Sequence, residues 1–152
     1  MTENTKMPPV AIGADHAGFE LKASIIKALS QSGLSVTNLG TDGPESVDYP
    51  DYAEKVATIV TDNPGTIGIL ICGTGIGMSV AANKHHGIRA ALLYNEETAA
   101  LAHRHNNANI ICLGARELSP EKALSFVNIF LTSVFENGRH QQRIDKISAL
   151  DH

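Results

Sequence analysis

The sequence predicts an α/β fold, a parallel five-stranded sheet covered by helices on both faces. Three observations carry this. Short apolar, β-rich runs alternate with longer stretches of helical period along the whole chain. The run Ile67 to Cys72 (Ile-Gly-Ile-Leu-Ile-Cys) is apolar on both faces, as a strand sandwiched between two helix layers must be. Between successive strands there is room for a right-handed helical crossover, the connection that parallel strands require.

The elements follow in order. Val10 to Gly13 reads as a first strand. Leu21, Ile25, Ala28 and Leu29 then recur at helical spacing until Gly33 stops that helix. Leu34 to Leu39 reads as a second strand, followed by a turn-rich loop over 40–50. A helix over 51–62 turns Val56, Ile59 and Val60 inward and ends at Asn63-Pro64-Gly65. After the third strand, 67–72, come a glycine-rich loop and a helix to about Asn83. Ile88 to Leu93 is a fourth strand, 96–106 a fourth helix, and Ile110 to Leu113 a fifth strand. Ser119-Pro120-Glu121 caps a long helix carrying Ala123, Phe126, Val127, Phe130 and Val134, which Asn137-Gly138 breaks. A last amphipathic helix runs through Ile144, Ile147 and Leu150. No repeat or linker divides the chain, so 9–152 is expected to be one domain and 1–8 a flexible extension.

Composition narrows the function. A chain of 152 residues with 43% hydrophobic and 18% charged residues has the balance of a globular domain. A net charge of −4, scarce aromatics and no tryptophan argue against nucleic acid as a partner. No apolar run is long enough to cross a membrane. Met1 to Met7 lacks the apolar core of a secretory signal, and two cysteines make no disulfide framework. A reduced, cytoplasmic setting is expected.

Sites in parallel sheets lie beyond the carboxyl ends of the strands. That rule collects Asp15 and His16 after the first strand, Cys72 to Gly77 after the third and Arg116 after the fifth. In Cys72-Gly73-Thr74-Gly75-Ile76-Gly77-Met78 the alternating glycines let backbone amides approach a ligand, and the following helix adds its positive end. Such a loop suits a phosphate or an oxyanion formed during reaction, and it favours negative charge on the cysteine sulfur. Cys72 is thus a candidate base or nucleophile; it also reads as the last buried residue of a strand. The loop lacks the lysine of a nucleotide P-loop and the arginine of a cysteine phosphatase, and it follows the wrong strand for a dinucleotide fingerprint.

The remaining candidates each have a plain structural reading beside the functional one. Asp15 beside a helix start is a natural cap, and His16 a surface loop residue. His103 and His105 lie two apart and so point to different sides of a helix, which argues against a shared metal. Their position near a helix C-terminus favours a cationic histidine, and one of them can face a cleft. Arg139 and Arg143 fall four apart at a helix start, where two guanidinium groups make a phosphate clamp or an ordinary solvated turn.

Taken together, the segments resemble the ribose-5-phosphate isomerase B family, which also contains bacterial galactose-6-phosphate isomerase subunits. The resemblance runs from about Val10 to Leu150. It rests on Gly-Ala-Asp-His-Ala-Gly-Phe at 13–19, Asp-Tyr-Pro at 48–50, Ile-Leu-Ile-Cys-Gly-Thr-Gly-Ile-Gly-Met-Ser at 69–79 and Ala-Ala-Asn-Lys at 81–84. Gly-Ile-Arg-Ala at 87–90, His-Asn at 105–106 and Gly-Arg-His-Gln-Gln-Arg at 138–143 complete it. It implies a Rossmann-like or flavodoxin-like αβα sandwich and a homodimer with shared sites, paired into tetramers in some members. It implies an aldose–ketose isomerase of sugar phosphates, without metal or cofactor. Cys72 would be the base and Thr74 close to the chemistry, with Gly73, Gly75, Ile76 and Gly77 of the same loop stabilising an enediolate. His105 would open the sugar ring with Asp15 nearby, and Asn106 would meet sugar hydroxyls. His16, Arg116, Arg139 and Arg143 would meet the phosphate. Ribose 5-phosphate is the expected substrate. A six-carbon sugar phosphate, such as allose or galactose 6-phosphate, and a non-catalytic sugar-phosphate-binding role are the alternatives.

Overall fold

The computed structural model describes residues 7–152. The expected N-terminal extension, 1–8, lies mostly outside the described residues. Eleven elements follow: β1 (Val10–Ala14), α1 (Phe19–Gln31), β2 (Val36–Asn38), α2 (Tyr49–Asp62), β3 (Ile67–Cys72), α3 (Ile76–Ala82), β4 (Ala90–Leu92), α4 (Glu96–Arg104), β5 (Ile110–Gly114), α5 (Pro120–Thr132) and α6 (Arg139–Ser148). The five strands form one parallel sheet in the order β2-β1-β3-β5-β4.

Alternate side chains of the inner strands feed two separate cores. Ile12, Ile69, Ile71 and Ile111 pack with Leu21, Ala99, Phe126 and Phe130 from α1, α4 and α5. Ala11, Leu70, Cys72 and Cys112 pack with Val56, Val60 and Met78 from α2 and α3. The period-2 alternation of the strands thus builds the three layers.

The chain departs from the sequence expectation at edges and ends. The edge strands β2 and β4 are shorter than the apolar runs that announced them, because each pairs on one side only. α5 stops at Thr132, five residues before Asn137. There the hydroxyls of Thr132 and Ser133 bond back to the carbonyls of Asn128 (2.8 Å) and Ile129 (2.6 Å), and Val134 is exposed rather than inward. Likewise α6 ends at Ser148. Ile144 is its buried anchor, whereas Leu150 beyond it is 69% exposed. α2 begins two residues early, at Tyr49, with Pro50 in its first turn, where a proline costs no hydrogen bond.

Lys22 is the unexpected member of the interior. Its stem lies along α1 at 1% exposure, and its Nζ donates to Asn38 Oδ1 (2.8 Å) and Asp42 Oδ1 (2.7 Å). The hydrogen bond from Lys22, then that from Asn38, holds the Asp42 carboxyl below its ordinary value of 3.8. A carboxylate depressed in the folded state stabilises above its unfolded pKa and loses that contribution as pH falls through the folded value. Wild type should therefore exceed Asp42→Asn in urea midpoint at neutral pH, and the gap should close below pH 3.8. A gap unchanged in acid would assign the difference to something other than this carboxylate.

Candidate active site

β1 and β3 are neighbours although β2 comes between them in sequence, and the crossover helices α1 and α2 cover opposite faces. Such a switch point opens a crevice at the carboxyl ends of the two strands. Asp15 and Cys72 sit on its two sides. The backbone of Asp15 donates to Ile71 O (3.1 Å), and its Oδ1 accepts from the amides of Ala17 (2.9 Å) and Gly18 (3.2 Å). The buried carboxylate is therefore fixed by the turn into α1, as a capping residue is, and one oxygen remains to meet a ligand. His16 accepts from the amide of Val47 through Nδ1 (3.2 Å), which puts the ring proton on Nε2 when the imidazole is neutral.

Cys72 is 5% exposed, and its Sγ accepts from the amide of Gly75 (3.2 Å). Gly75 holds φ +82°, and a Cβ there would lie 2.6 Å from Leu92 Cδ1, so the turn needs glycine on both counts. The amide of Ile76 donates to Thr74 Oγ1 (3.2 Å), and Thr74 itself is exposed at the mouth of the loop. Two further hydrogen bonds, Ala115 N to Cys72 O (2.8 Å) and Arg116 N to Gly73 O (3.0 Å), tie this loop to the turn after β5. The Arg116 guanidinium consequently lies over Gly73, where a Cβ would come within 2.7 Å of Nη1. Sequence reasoning missed one member of this group. The Tyr49 ring covers Gly77, with Cζ 2.6 Å from where a Cβ would stand. Its motif was visible, but nothing in the spacing tied residue 49 to residue 77.

A second group gathers elsewhere in the chain. α4 starts beyond the carboxyl end of β4 and runs back, so His105, its C-cap, lies toward the amino end of β5. Ile110 and Gly114 at the two ends of that strand are about 13 Å apart, four rises of ~3.3 Å. His105 therefore does not meet Cys72 within one chain. Its ring stacks on His140, with centroids 4.2 Å apart and planes 12° apart. Glu136 Oε1 stands 3.7 Å from His105 Nε2 and 3.5 Å from His140 Nε2, and Glu136 Oε2 accepts from Arg104 Nε (3.0 Å). That Arg104 hydrogen bond keeps the Glu136 carboxyl below its ordinary range. Burial first, and then the charges of His105 and Arg139, hold His140 below its own; Glu136 opposes them. Arg139 and Arg143 project from the first turns of α6, four apart and exposed, and Asn106 is exposed beside His105. His140 stood inside the 138–143 motif without a role of its own, and Glu136 carried no sequence signal.

His103 points the other way, as its spacing predicts. Its Nδ1 donates to Phe130 O (3.1 Å) and its ring stacks on Phe130, a structural role. A cavity of about 730 Å³ opens there, at the amino ends of the strands, and of the candidate residues only His103 lines it. Among the described residues no helix is long and apolar enough to cross a membrane.

Comparison with known proteins matches residues 10–147 to the ribose/galactose isomerase family. The probable ribose-5-phosphate isomerase B of Mycoplasma pneumoniae is 48% identical over 144 residues, 94% of this chain and 95% of the relative. The ribose-5-phosphate isomerase B of Escherichia coli is 43% identical over 145 residues, 95% of this chain and 97% of the relative. Among solved structures, a ribose 5-phosphate isomerase from Thermotoga maritima superposes with a TM-score of 0.92 at 48% identity, covering 95% of this chain and 100% of its own. Ribose-5-phosphate isomerase B from Mycoplasma genitalium, solved with bound ribulose-5-phosphate, gives 0.90 at 44% identity, covering 93% and 94%.

Proposed function

The chain belongs to the ribose/galactose isomerase family, and from that premise we propose that it interconverts ribose 5-phosphate and ribulose 5-phosphate. One observation carries the proposal. Cys72, the one side chain of the crevice able to shuttle a proton on sulfur, accepts the Gly75 amide inside a glycine loop that the following helix backs.

The chemistry follows from that placement. Cys72 removes the proton from the sugar carbon next to the carbonyl. Negative charge passes to the carbonyl oxygen, and the amides of Gly73 to Gly77 stabilise the resulting enediolate, aided by Thr74. The thiol returns its proton to the adjacent carbon while a hydroxyl proton moves between the two oxygens, which converts aldose to ketose without a redox partner or cofactor. Asp15 holds sugar hydroxyls, Tyr49 walls the crevice, and His16 and Arg116 draw the phosphate. The phosphate supplies binding energy remote from the reacting carbons.

His105, Asn106, Arg139 and Arg143 complete the site from a second copy of the chain. A two-fold axis across the strand direction sets the amino end of one sheet beside the carboxyl end of the other, and each dimer then holds two whole sites. The exposed apolar side chains Ile76, Val80 and Tyr94, beside the Cys72 loop, support such an interface. Free thiols at Cys72 and Cys112 suit a reducing cytoplasm.

The test is a rate comparison across ribose 5-phosphate, allose 6-phosphate and galactose 6-phosphate in the presence of a chelator. The pentose phosphate is expected to be turned over fastest, at undiminished rate. A clear preference for a six-carbon sugar would replace the proposed substrate, and binding without conversion would replace the reaction. Arg143→Ala should raise KM for ribose 5-phosphate about 10–150-fold, as loss of a charge-assisted phosphate contact of about 1.5–3 kcal/mol requires. An unchanged KM would remove Arg143 from the phosphate site.

A further inference from the structure

Among the described residues, and outside the Cys72 crevice, His105, Glu136 and His140 bring donor atoms that all lie within 4.8 Å of one another. We infer that these three side chains form an inhibitory binding site for a divalent ion of the zinc class, the inhibition resting on the role proposed above for His105.

The distances carry the argument. Glu136 Oε1 stands 3.7 Å from His105 Nε2 and 3.5 Å from His140 Nε2. Both separations are longer than a normal hydrogen bond of about 2.7–3.2 Å. They suit donors that share one ion, since bonds of about 2.0–2.1 Å place the corners of a tetrahedron about 3.3–3.4 Å apart. The stacked rings, 12° from parallel, stand beside the same carboxylate, and binding one ion requires both to turn out of the stack until their Nε2 lone pairs converge. Two imidazoles and a carboxylate match the donor preference of zinc, with the fourth position left to water.

The donors are also anchored before any ion arrives. Glu136 is held through Oε2 by Arg104 Nε (3.0 Å) and through its amide by Arg104 O (3.0 Å), and His140 is 7% exposed. Arg104, Arg139 and Arg143 surround the cluster and oppose a cation, so affinity falls below that of a structural zinc site. On binding, each Nε2 lone pair goes to the metal and the ring proton resides on Nδ1 or leaves to solvent. His105 then has no Nε2 left for a sugar oxygen.

The experiment titrates the full-length protein with Zn²⁺ during turnover and, separately, with Co²⁺ while its visible spectrum is recorded. Zn²⁺ should inhibit, a chelator should reverse the inhibition, and Co²⁺ should give a d–d band without a thiolate charge-transfer band. In Glu136→Gln and in His140→Gln, metal affinity should weaken at least about tenfold, each inhibition being scored against that variant's own metal-free rate. Cys72→Ala should keep the cobalt band. A thiolate band, a cobalt band lost with Cys72, or an affinity unchanged in both Glu136→Gln and His140→Gln would overturn the site. If the wild type turned over no sugar phosphate, the proposed reaction would fall while the cobalt spectrum still judged the site.

Discussion

Replacing Cys72 with alanine is expected to lower kcat for ribose 5-phosphate about a thousandfold and to leave KM within about threefold. A positioned general base contributes about 10²–10⁴ in rate, and the loss falls on kcat because in the proposed reaction the sulfur meets the reacting carbon and not the phosphate. The fold should survive, since the substitution removes a single heavy atom, the sulfur, from a packed position. Cys112 supplies the control. It is fully buried on the neighbouring strand, and burial, with Cys72 nearby, pushes its thiol far above the ordinary value. Cys112→Ala should therefore isomerise at close to the wild-type rate. Exchange of the sugar's carbon-bound proton with deuterated solvent should vanish with Cys72 and persist with Cys112. A Cys72→Ala enzyme that still exchanges at the wild-type rate would require a different base.

The second large effect concerns the proposed division of the site between two chains. Cys72→Ala and His105→Asn homodimers should each be close to inactive. An equal mixture, refolded or co-expressed so that chains pair at random, should regain about a quarter of wild-type activity, because half of the dimers are mixed and each has one of two sites intact. The geometry behind this is the separation of Cys72, at the carboxyl end of β3, from His105, toward the amino end of β5. If both residues served one site in the same chain, mixing would restore nothing. The outcome is read as recovered turnover, which no loss of folding can imitate.

How much of this was legible in the sequence depends on where each residue sits. β3 matches its apolar run residue for residue, because burial on both faces leaves no polar positions to blur its limits. β2 and β4 are trimmed because hydrogen bonding on one side, rather than hydrophobicity, decides where an edge strand stops. The Cys72 loop was legible because its glycine spacing is local, and Asp15, His16 and Arg116 because strand ends are. Tyr49 meets Gly77, Glu136 meets Arg104 and His140 meets His105 only after folding, across long stretches of chain. Helix direction hid the rest. The motifs alone do not say that His105 lies at the wrong end of its own sheet to reach Cys72.

The hydrogen bonds from Ala115 and Arg116 to Cys72 and Gly73 extend the β3–β5 ladder past the strands themselves. Thiol and guanidinium thus ride on adjacent backbones about 4.8 Å apart, a spacing the sheet cannot relax. The entropy lost in bringing them together is spent when the chain folds, and none of it falls due when a sugar arrives.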